Sequence, residues 1–520
     1  MAFTTQQGTG GAPWTFQGTP EADSIAVITG STQDSNAFDF IAEGLEGNDV
    51  INFNGTRSVT IKGGQGADVI TNNVAASAGL TSIISSSFIN GNDGADRIGN
   101  TELGLLATLS TVAGGQGDDK LYLGSLQSSK VNGNLGADFL EVGDVLFDEN
   151  IVGTLSNFNA ASVFGGQGAD AIRVRSDVRA FTNSEVNGQL GDDFISIRIG
   201  RFDLATAIEE NLATGFDPEN GILSSPTTTG TSFDGGDGED IIDASGLLLD
   251  IKQGGAVEIN GDVERASASD LKLFGGEGND SMFGGVGEDL VAGDNGDDWL
   301  AGYGNRDEVV GGNGDDLIIG AYYDGQLSAG FVGDASGDTL SGGNGSNTFF
   351  VPGTGSAFVS GFVTNPLGST GFVTLTEPLD DAFVGQISNG DLLAVSFGAD
   401  VITDWTAGDN VLNTGIADSL EADFDGSPAM SFGFDYDGVP LQNYAVRGFY
   451  TERFNELGEF TVSEFGTDIA VWTNYTGADV FDGLDPADGF SFDTFVDNLT
   501  ILKNVPTTAY VSANQFVADV

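Results

Sequence analysis

One aspartate recurs at a fixed place in this chain, five residues after the first glycine of a Gly-x-x-Gly-x-Asp-x-apolar pattern whose second position is usually Gly or Asn. Sixteen copies begin at Gly18, Gly44, Gly63, Gly91, Gly114, Gly133, Gly165, Gly188, Gly235, Gly275, Gly284, Gly293, Gly302, Gly311, Gly333 and Gly342. Fifteen carry the aspartate, from Asp23 to Asp338, and the last carries Asn347. Glycine lets the backbone turn through φ > 0 and aim its carbonyl oxygens inward. The aspartate adds a carboxylate oxygen. Carbonyls and carboxylates from stacked turns make the oxygen cage, at about 2.3–2.6 Å, that calcium favours.

The candidate metal ligands follow from the pattern. They are Asp49; Gly63, Gly64, Gly66 and Asp68; Gly91 and Asp96; Gly114, Gly117 and Asp119; Gly133 and Asp138; Gly165, Gly168 and Asp170; and Gly188 and Asp193. The series continues with Gly235, Gly238 and Asp240; Gly275, Gly278 and Asp280; Gly284, Gly287 and Asp289; Gly293, Gly296 and Asp298; Asp307; Gly311, Gly314 and Asp316; and Asp338. Fifteen such turns need not hold fifteen ions, because each site needs a stacked neighbour; the degenerate turns at Gly18, Gly302 and Gly333 are the first candidates to stay empty.

The elements that position these groups are short strands. The residue seven after each start is apolar in all sixteen copies, from Ile25 to Phe349. One unit cannot bury that residue alone, so neighbouring units must stack on it. The expected fold is all-β, a right-handed parallel β-roll or β-solenoid with rungs at about 4.8 Å, the ordinary strand spacing. Composition agrees. Asp and Glu total 77 against 17 Lys and Arg, a net charge of -60, which bound cations would relieve. The chain has no Cys and no His. That excludes disulfides, thiolate metal sites, the usual zinc sites and a histidine base. An acidic chain is a poor partner for nucleic acid. No apolar run is long enough to be a transmembrane helix.

Two regimes are visible. From Gly275 to Ile319 the units are contiguous at nine-residue spacing, which predicts a narrow roll with an 18-residue rung. Upstream, Gly-Gly-Gln-Gly turns at Gly63, Gly114 and Gly165 alternate with turns at Gly91, Gly133 and Gly188. The alternation favours placing the two types on opposite edges, with rungs of roughly 42–55 residues. The other arrangement puts one turn in each rung along a single edge. Residues 202–230 and 243–270 interrupt the pattern, and Ala205 to Leu212 is the best short helix candidate. The expected divisions are 1–62, an N-terminal cap with the first degenerate rungs; 63–274, a wide solenoid; 275–350, the contiguous roll; and 351–520, a β-rich C-terminal cap.

The run Gly275-Gly-Glu-Gly-Asn-Asp-Ser-Met-Phe283 and its neighbours resemble the hemolysin-type, or RTX, calcium-binding repeat. The segment Asp400-Val-Ile-Thr-Asp-Trp-Thr-Ala-Gly-Asp-Asn-Val-Leu412 resembles the segment that closes such rolls. Gly466 to Trp472, Asn498 to Asn504 and Asn514 to Val520 resemble the family's uncleaved C-terminal region. The resemblance implies several Ca2+ ions, partnership with type I secretion machinery and an extracellular or cell-surface location reached without an N-terminal signal peptide. The alternating upstream turns, with their Ser/Thr/Val-rich connections, look like oscillin-type surface proteins of cyanobacteria. That likeness, over about residues 40–200, implies self-association into a filament or S-layer-like coat.

Five basic residues, Arg173, Arg175, Arg179, Arg198 and Arg201, lie close together. Arg173 and Arg175 alternate with Ile172 and Val174, so they are expected on an outward face as candidate assembly contacts. Local pairing with acids is the alternative. No catalytic residues are expected. Two carboxylates can run glycoside hydrolysis without His, but the aspartates sit at repeat positions that calcium explains. A monomeric secreted adhesin, binding a cell-surface polysaccharide, competes with the coat reading.

Overall fold

The alternation of apolar and polar residues around each turn produces two strands that face each other. The structure is a computed structural model. It describes residues 4–6, 14–27, 40–53, 58–72, 83–100, 104–143, 158–176, 181–199, 201–202, 222–224, 230–245, 250–251, 257–258, 270–285, 287–304, 306–320, 337–350, 389–390, 392–395, 399–405, 411–413, 429–436, 439–451, 458–474 and 498–505. The described elements are all strands, stacked mainly in parallel, so the protein is a parallel β-solenoid. The helix candidate at 205–212 and the opening residues 333–336 of the Gly333 turn lie outside the described residues. The chain forms two compact units, Met1–Asp203 with Ile222–Ser281 and Leu204–Gly221 with Met282–Val520.

In the first unit one sheet stacks Phe40–Glu46, Thr60–Gln65, Phe88–Asp93, Thr111–Gln116, Lys130–Leu135, Ser162–Gln167, Glu185–Leu190, Ser232–Asp237 and Lys272–Glu277 in parallel. The facing sheet carries Val50–Phe53, Val69–Asn72, Arg97–Ile98, Lys120–Gln127, Phe139–Gly143, Ala171–Ser176, Phe194–Ile199 and Ile241–Asp243. Two of the columns that build the core flank the repeat turns. Ile61, Ile89, Val112, Val131, Val163, Val186, Phe233 and Leu273 come from the first sheet. The apolar residues seven after each start come from the second, and all are at most 1% exposed. Thr4–Gln6 lies antiparallel on Trp14–Gln17, which pairs with Phe40–Glu46 and covers the first rung.

Every repeat turn in this unit falls on one edge. Strands from both turn types pair with each other in strict chain order, for example Thr111–Gln116 between Phe88–Asp93 and Lys130–Leu135. This corrects the expectation of opposite edges and rungs of 42–55 residues. From Asp49 to Asp193, successive aspartates are 19 to 32 residues apart. The two turn types both hold the residue after the first glycine at positive φ. Gly64, Gly115 and Gly166 have φ of +122°, +131° and +128°, and Asn92, Asn134 and Gln189 sit at +79°, +84° and +85°. Asn90 and Asn132 steady two of these, their Oδ1 atoms accepting the N–H of Asn92 and Asn134 at 3.0 and 2.9 Å.

Rung length varies at one place. In the 19-residue rung Lys120–Gln127 runs unbroken across the second sheet. Arg97–Ile98 and Leu105–Thr108 pair with its two halves, as do Phe139–Gly143 and Phe158–Asn159. Extra residues therefore enter between the halves of the second-sheet strand and leave the turns in register. The interruption at 202–230 has the same origin; its described ends, Arg201–Phe202 and Ile222–Ser224, pair antiparallel.

From Ser58 to Thr231 the described residues at the turn of the opposite edge are uncharged. Ser58, Ser86, Leu109, Ser128, Ala160, Asn183 and Gly230 each take a left-handed conformation there. The next residue is often Ser or Thr, four before the first glycine. Ser87, Ser110 and Ser129 accept the backbone N–H of Val59, Ser87 and Ser110 at 3.2 Å. Their hydroxyls donate to carbonyls two residues back. Ser184 and Thr231 extend the ladder. This edge is satisfied by the chain itself.

The second unit contains the narrow roll. Leu290–Asn295, Glu308–Asn313, Thr339–Asn344 and Asp400–Ile402 stack on one side. Trp299–Ala301, Leu317–Ile319, Thr348–Phe350 and Val411–Asn413 stack on the other. The 18-residue rung holds between Asp289 and Asp307 and between Asp298 and Asp316. Stacking continues past 351 through the Asp400 segment. Asn498–Leu502 then adds a parallel strand to Asp400–Ile402, followed antiparallel by Asp468–Asn474 and Val439–Thr451. The segments 466–472 and 498–504 are thus strands of the cap that covers the exposed sheet edge; residues 514–520 lie outside the described set. Buried Asp468 ties them together, accepting from Lys503 Nζ and Tyr450 N at 2.8 Å and Asn504 N at 3.1 Å.

Candidate metal centre

The aspartate of each turn reaches along the stack. In the first unit Oδ1 of Asp49, Asp68, Asp96, Asp119, Asp138, Asp170, Asp193, Asp240 and Asp280 accepts the backbone N–H of the preceding rung's aspartate at 2.7–2.8 Å. The second unit has two such columns. One runs Asp289, Asp307, Asp338 and Asp400; the other runs Asp298, Asp316 and Asn347. Parallel stacking dictates this arrangement, because it repeats one turn over the next and leaves the aspartate N–H facing the carboxylate above.

The second carboxylate oxygen has a different environment. Oδ2 of Asp49, Asp68, Asp96, Asp119, Asp138, Asp170, Asp193, Asp240 and Asp316 is buried without a hydrogen-bond partner. A buried unpaired carboxylate oxygen is costly, and nine copies mark a position built for something else. Each lies beside the Cα of its own first glycine. A Cβ on Gly63 would meet Asp68 Oδ2 and fall 2.5 Å from the carbonyl oxygen of Gly91 in the next rung. The same pair of oxygens, own-turn carboxylate and next-turn glycine carbonyl, meets at Gly44, Gly91, Gly114, Gly133, Gly165 and Gly188, and at Gly293 and Gly311 in the second unit. First-position glycine is required here by contact.

The position after the first glycine is held at positive φ in all nine of these turns, including Leu45 at +86° and Gln189 at +85°. A side chain in the left-handed region costs roughly 1–2 kcal/mol. Chains keep such strain where the peptide orientation matters. Gln189→Gly should therefore raise the thermal midpoint, with a gain of about 1 kcal/mol, measured by calorimetry. A loss of stability would mean that the Gln189 side chain contributes more than its backbone costs.

The electrostatics agree with the geometry. Burial pushes these carboxyls up, and neighbouring aspartates push most of them further, against the opposing effect of the backbone N–H bond. Asp119 and Asp170 rise to about 8. Asp68, Asp193, Asp240 and Asp316 rise to about 7, and Asp96 and Asp138 to about 6. Groups of three or more acidic side chains suited to a metal are absent among the described residues. A hard cation here would take one or two carboxylate oxygens and complete its shell with backbone carbonyls. The donor set is all oxygen, and it fits calcium.

Three turns stand apart. Asp23 Oδ2 accepts Thr19 N–H at 2.6 Å and its hydroxyl at 2.9 Å, and Asp289 Oδ2 accepts Gly285 N–H at 2.6 Å. Asn347 presents an amide nitrogen beside Gly342. Asp400 joins a column although its turn lacks the opening glycines; only Gly398-Ala-Asp400-Val-Ile402 keeps the end of the repeat pattern.

The arginines do not form an outward patch. Arg173, Arg175 and Arg198 are buried, with Arg173 3.3 Å from Glu141 and Arg198 2.8 Å from Asp243. The expectation of exposed assembly contacts is corrected for these three; for Arg173 and Arg198 the reason is an acid on a neighbouring rung within reach. Arg179 and the side chain of Arg201 lie outside the described residues.

Fold and site together define a parallel β-solenoid with a carboxylate-and-carbonyl edge. No family model matches the chain, and no curated protein matches it.

Proposed function

We propose that this chain is a secreted calcium-binding structural protein whose solenoid is completed by cations along its Gly-Asp edges. The nine buried carboxylate oxygens without partners carry this reading. A cation at that position would neutralise repelling neighbours and turn binding energy into folding energy. Extracellular modules of this kind bind calcium with dissociation constants of about 10⁻⁴–10⁻³ M, far above cytosolic levels. The site would therefore fill outside the cell, in keeping with the resemblance to hemolysin-type repeats and type I export.

Self-assembly into a surface coat remains the reading suggested by the oscillin-type resemblance. The antiparallel strands over the first rung of the first unit and the last rung of the second favour a monomeric adhesin or matrix protein, since covered sheet edges resist further pairing. Sedimentation velocity across a calcium titration, from chelator to about 10 mM, tests both readings. Compaction of an expanded species supports the calcium-folded monomer, and further growth into large particles supports the coat. A sedimentation coefficient indifferent to calcium would overturn the proposal.

A further inference from the structure

The turns at the ends of the carboxylate columns differ from those between them. Asp23 opens the column of the first unit, and Asp289 opens the Asp289–Asp307–Asp338–Asp400 column of the second. In both, the backbone N–H after the first glycine faces the turn's own carboxylate at 2.6 Å. In the nine turns with an unpartnered Oδ2, the same residue is at positive φ. The two states satisfy the carboxylate in different ways. One supplies a proton donor from the same turn. The next turn's carbonyl stands beside the first glycine in both states, at Gly18 and Gly284 as at Gly63, but in the second no N–H of the chain reaches Oδ2, and only a cation or a proton can join the two oxygens.

The other column of the second unit ends in an amide. Asn347 Oδ1 accepts Asp316 N–H at 2.9 Å, which fixes the amide orientation. Its Nδ2 therefore stands beside Gly342 where other turns place Oδ2. Asp404 covers the same turn, accepting Ser341 Oγ, Gly342 N and Gly343 N at 2.8, 2.9 and 2.7 Å. An amide nitrogen offers hydrogens, and a calcium shell accepts only lone pairs.

We propose that the turns Gly18–Asp23, Gly284–Asp289 and Gly342–Asn347 are sealed against cations by the chain's own N–H groups, so that bound ions are confined to the turns between them. The inference rests on the calcium reading above and adds which turns take no ion. The sealed turns hold their geometry without metal. Each gives the adjoining cation-dependent turn a formed neighbour to stack on.

The test counts bound calcium in the full-length chain by equilibrium dialysis and atomic emission. Asp119→Asn should lose at least one ion. Asp23→Asn and Asp289→Asn should keep the wild-type number, and Asn347→Asp should gain one. Thermal melts in chelator at about pH 5, where protonated carboxyls keep the stack folded, add a second readout. There Asp23→Asn and Asp289→Asn should still lower the midpoint, because their hydrogen bonds need no metal. Loss of an ion in Asp23→Asn or Asp289→Asn, or no gain in Asn347→Asp, overturns the sealed-turn assignment while leaving calcium binding intact. A wild-type chain that binds no calcium overturns the calcium reading and the assignment with it.

Discussion

Chelated at about pH 8, the chain should lose its stacked core, and lowering the same chelated sample to about pH 5 should restore it. The sign follows from the carboxyls of the Gly-Asp edges. Their ordinary value is 3.8, and in the folded stack Asp68, Asp119, Asp170, Asp193, Asp240 and Asp316 are raised to between about 7 and about 8. The folded state therefore binds more protons than the unfolded chain between these limits. Stability from these groups is fully present below 3.8 and is lost as pH rises through about 7 to 8. A proton neutralises the inner oxygen much as a cation does, and calcium must displace it. Calcium affinity should then fall by up to about tenfold per pH unit for each proton displaced. Circular dichroism and sedimentation at the two pH values, with and without calcium, would check this. A chelated chain equally folded at both would show that the inner oxygens carry no such strain.

Much of this edge could be read from residue types alone. The Gly-x-x-Gly-x-Asp-x-apolar spacing located the aspartate ladder and the apolar column, because both repeat with the turn. Placing the turns on edges required more. Gly64 and Asn92 differ in type but share a backbone region, so their alternation carried no information about edges. The hydroxyl edge left a faint trace, Ser or Thr four residues before the first glycine at Ser87, Ser110, Ser129, Ser184 and Thr231. Ser is common enough in this chain to hide it. The alternation of Arg173 and Arg175 with Ile172 and Val174 does not show that the two arginines are buried. The acidic partners were hidden because Glu141 is 32 residues from Arg173 and Asp243 is 45 from Arg198, distances set by insertions of irregular length.

Removing one member of the Arg198–Asp243 pair should be among the most destabilising single changes in the first unit. Arg198 is 3% exposed and Asp243 fully buried. The guanidinium donates to Asp243 Oδ2 and to the Asp243 carbonyl at 2.8 Å, and to its neighbour's carbonyl, Ile197 O, at 2.7 Å. Asp243 Oδ1 in turn accepts Ser245 N–H at 3.1 Å and its hydroxyl at 2.6 Å. Strand register makes the contact, since Ser196 lies opposite Asp243 and carries Arg198 two residues along the same face. Truncating a partner in such a network leaves a charge buried, at a cost of roughly 3–5 kcal/mol. Asp243→Ala should therefore lower the denaturation midpoint of the first unit markedly in saturating calcium. The double variant Arg198→Met with Asp243→Leu should recover most of the loss, because replacing both charges with apolar side chains removes the desolvation penalty as well as the attraction. A cost near or below about 1 kcal/mol for Asp243→Ala would mean that water screens the pair as it does at a surface. Such a result would reopen this face of the solenoid as one that can be approached from solvent.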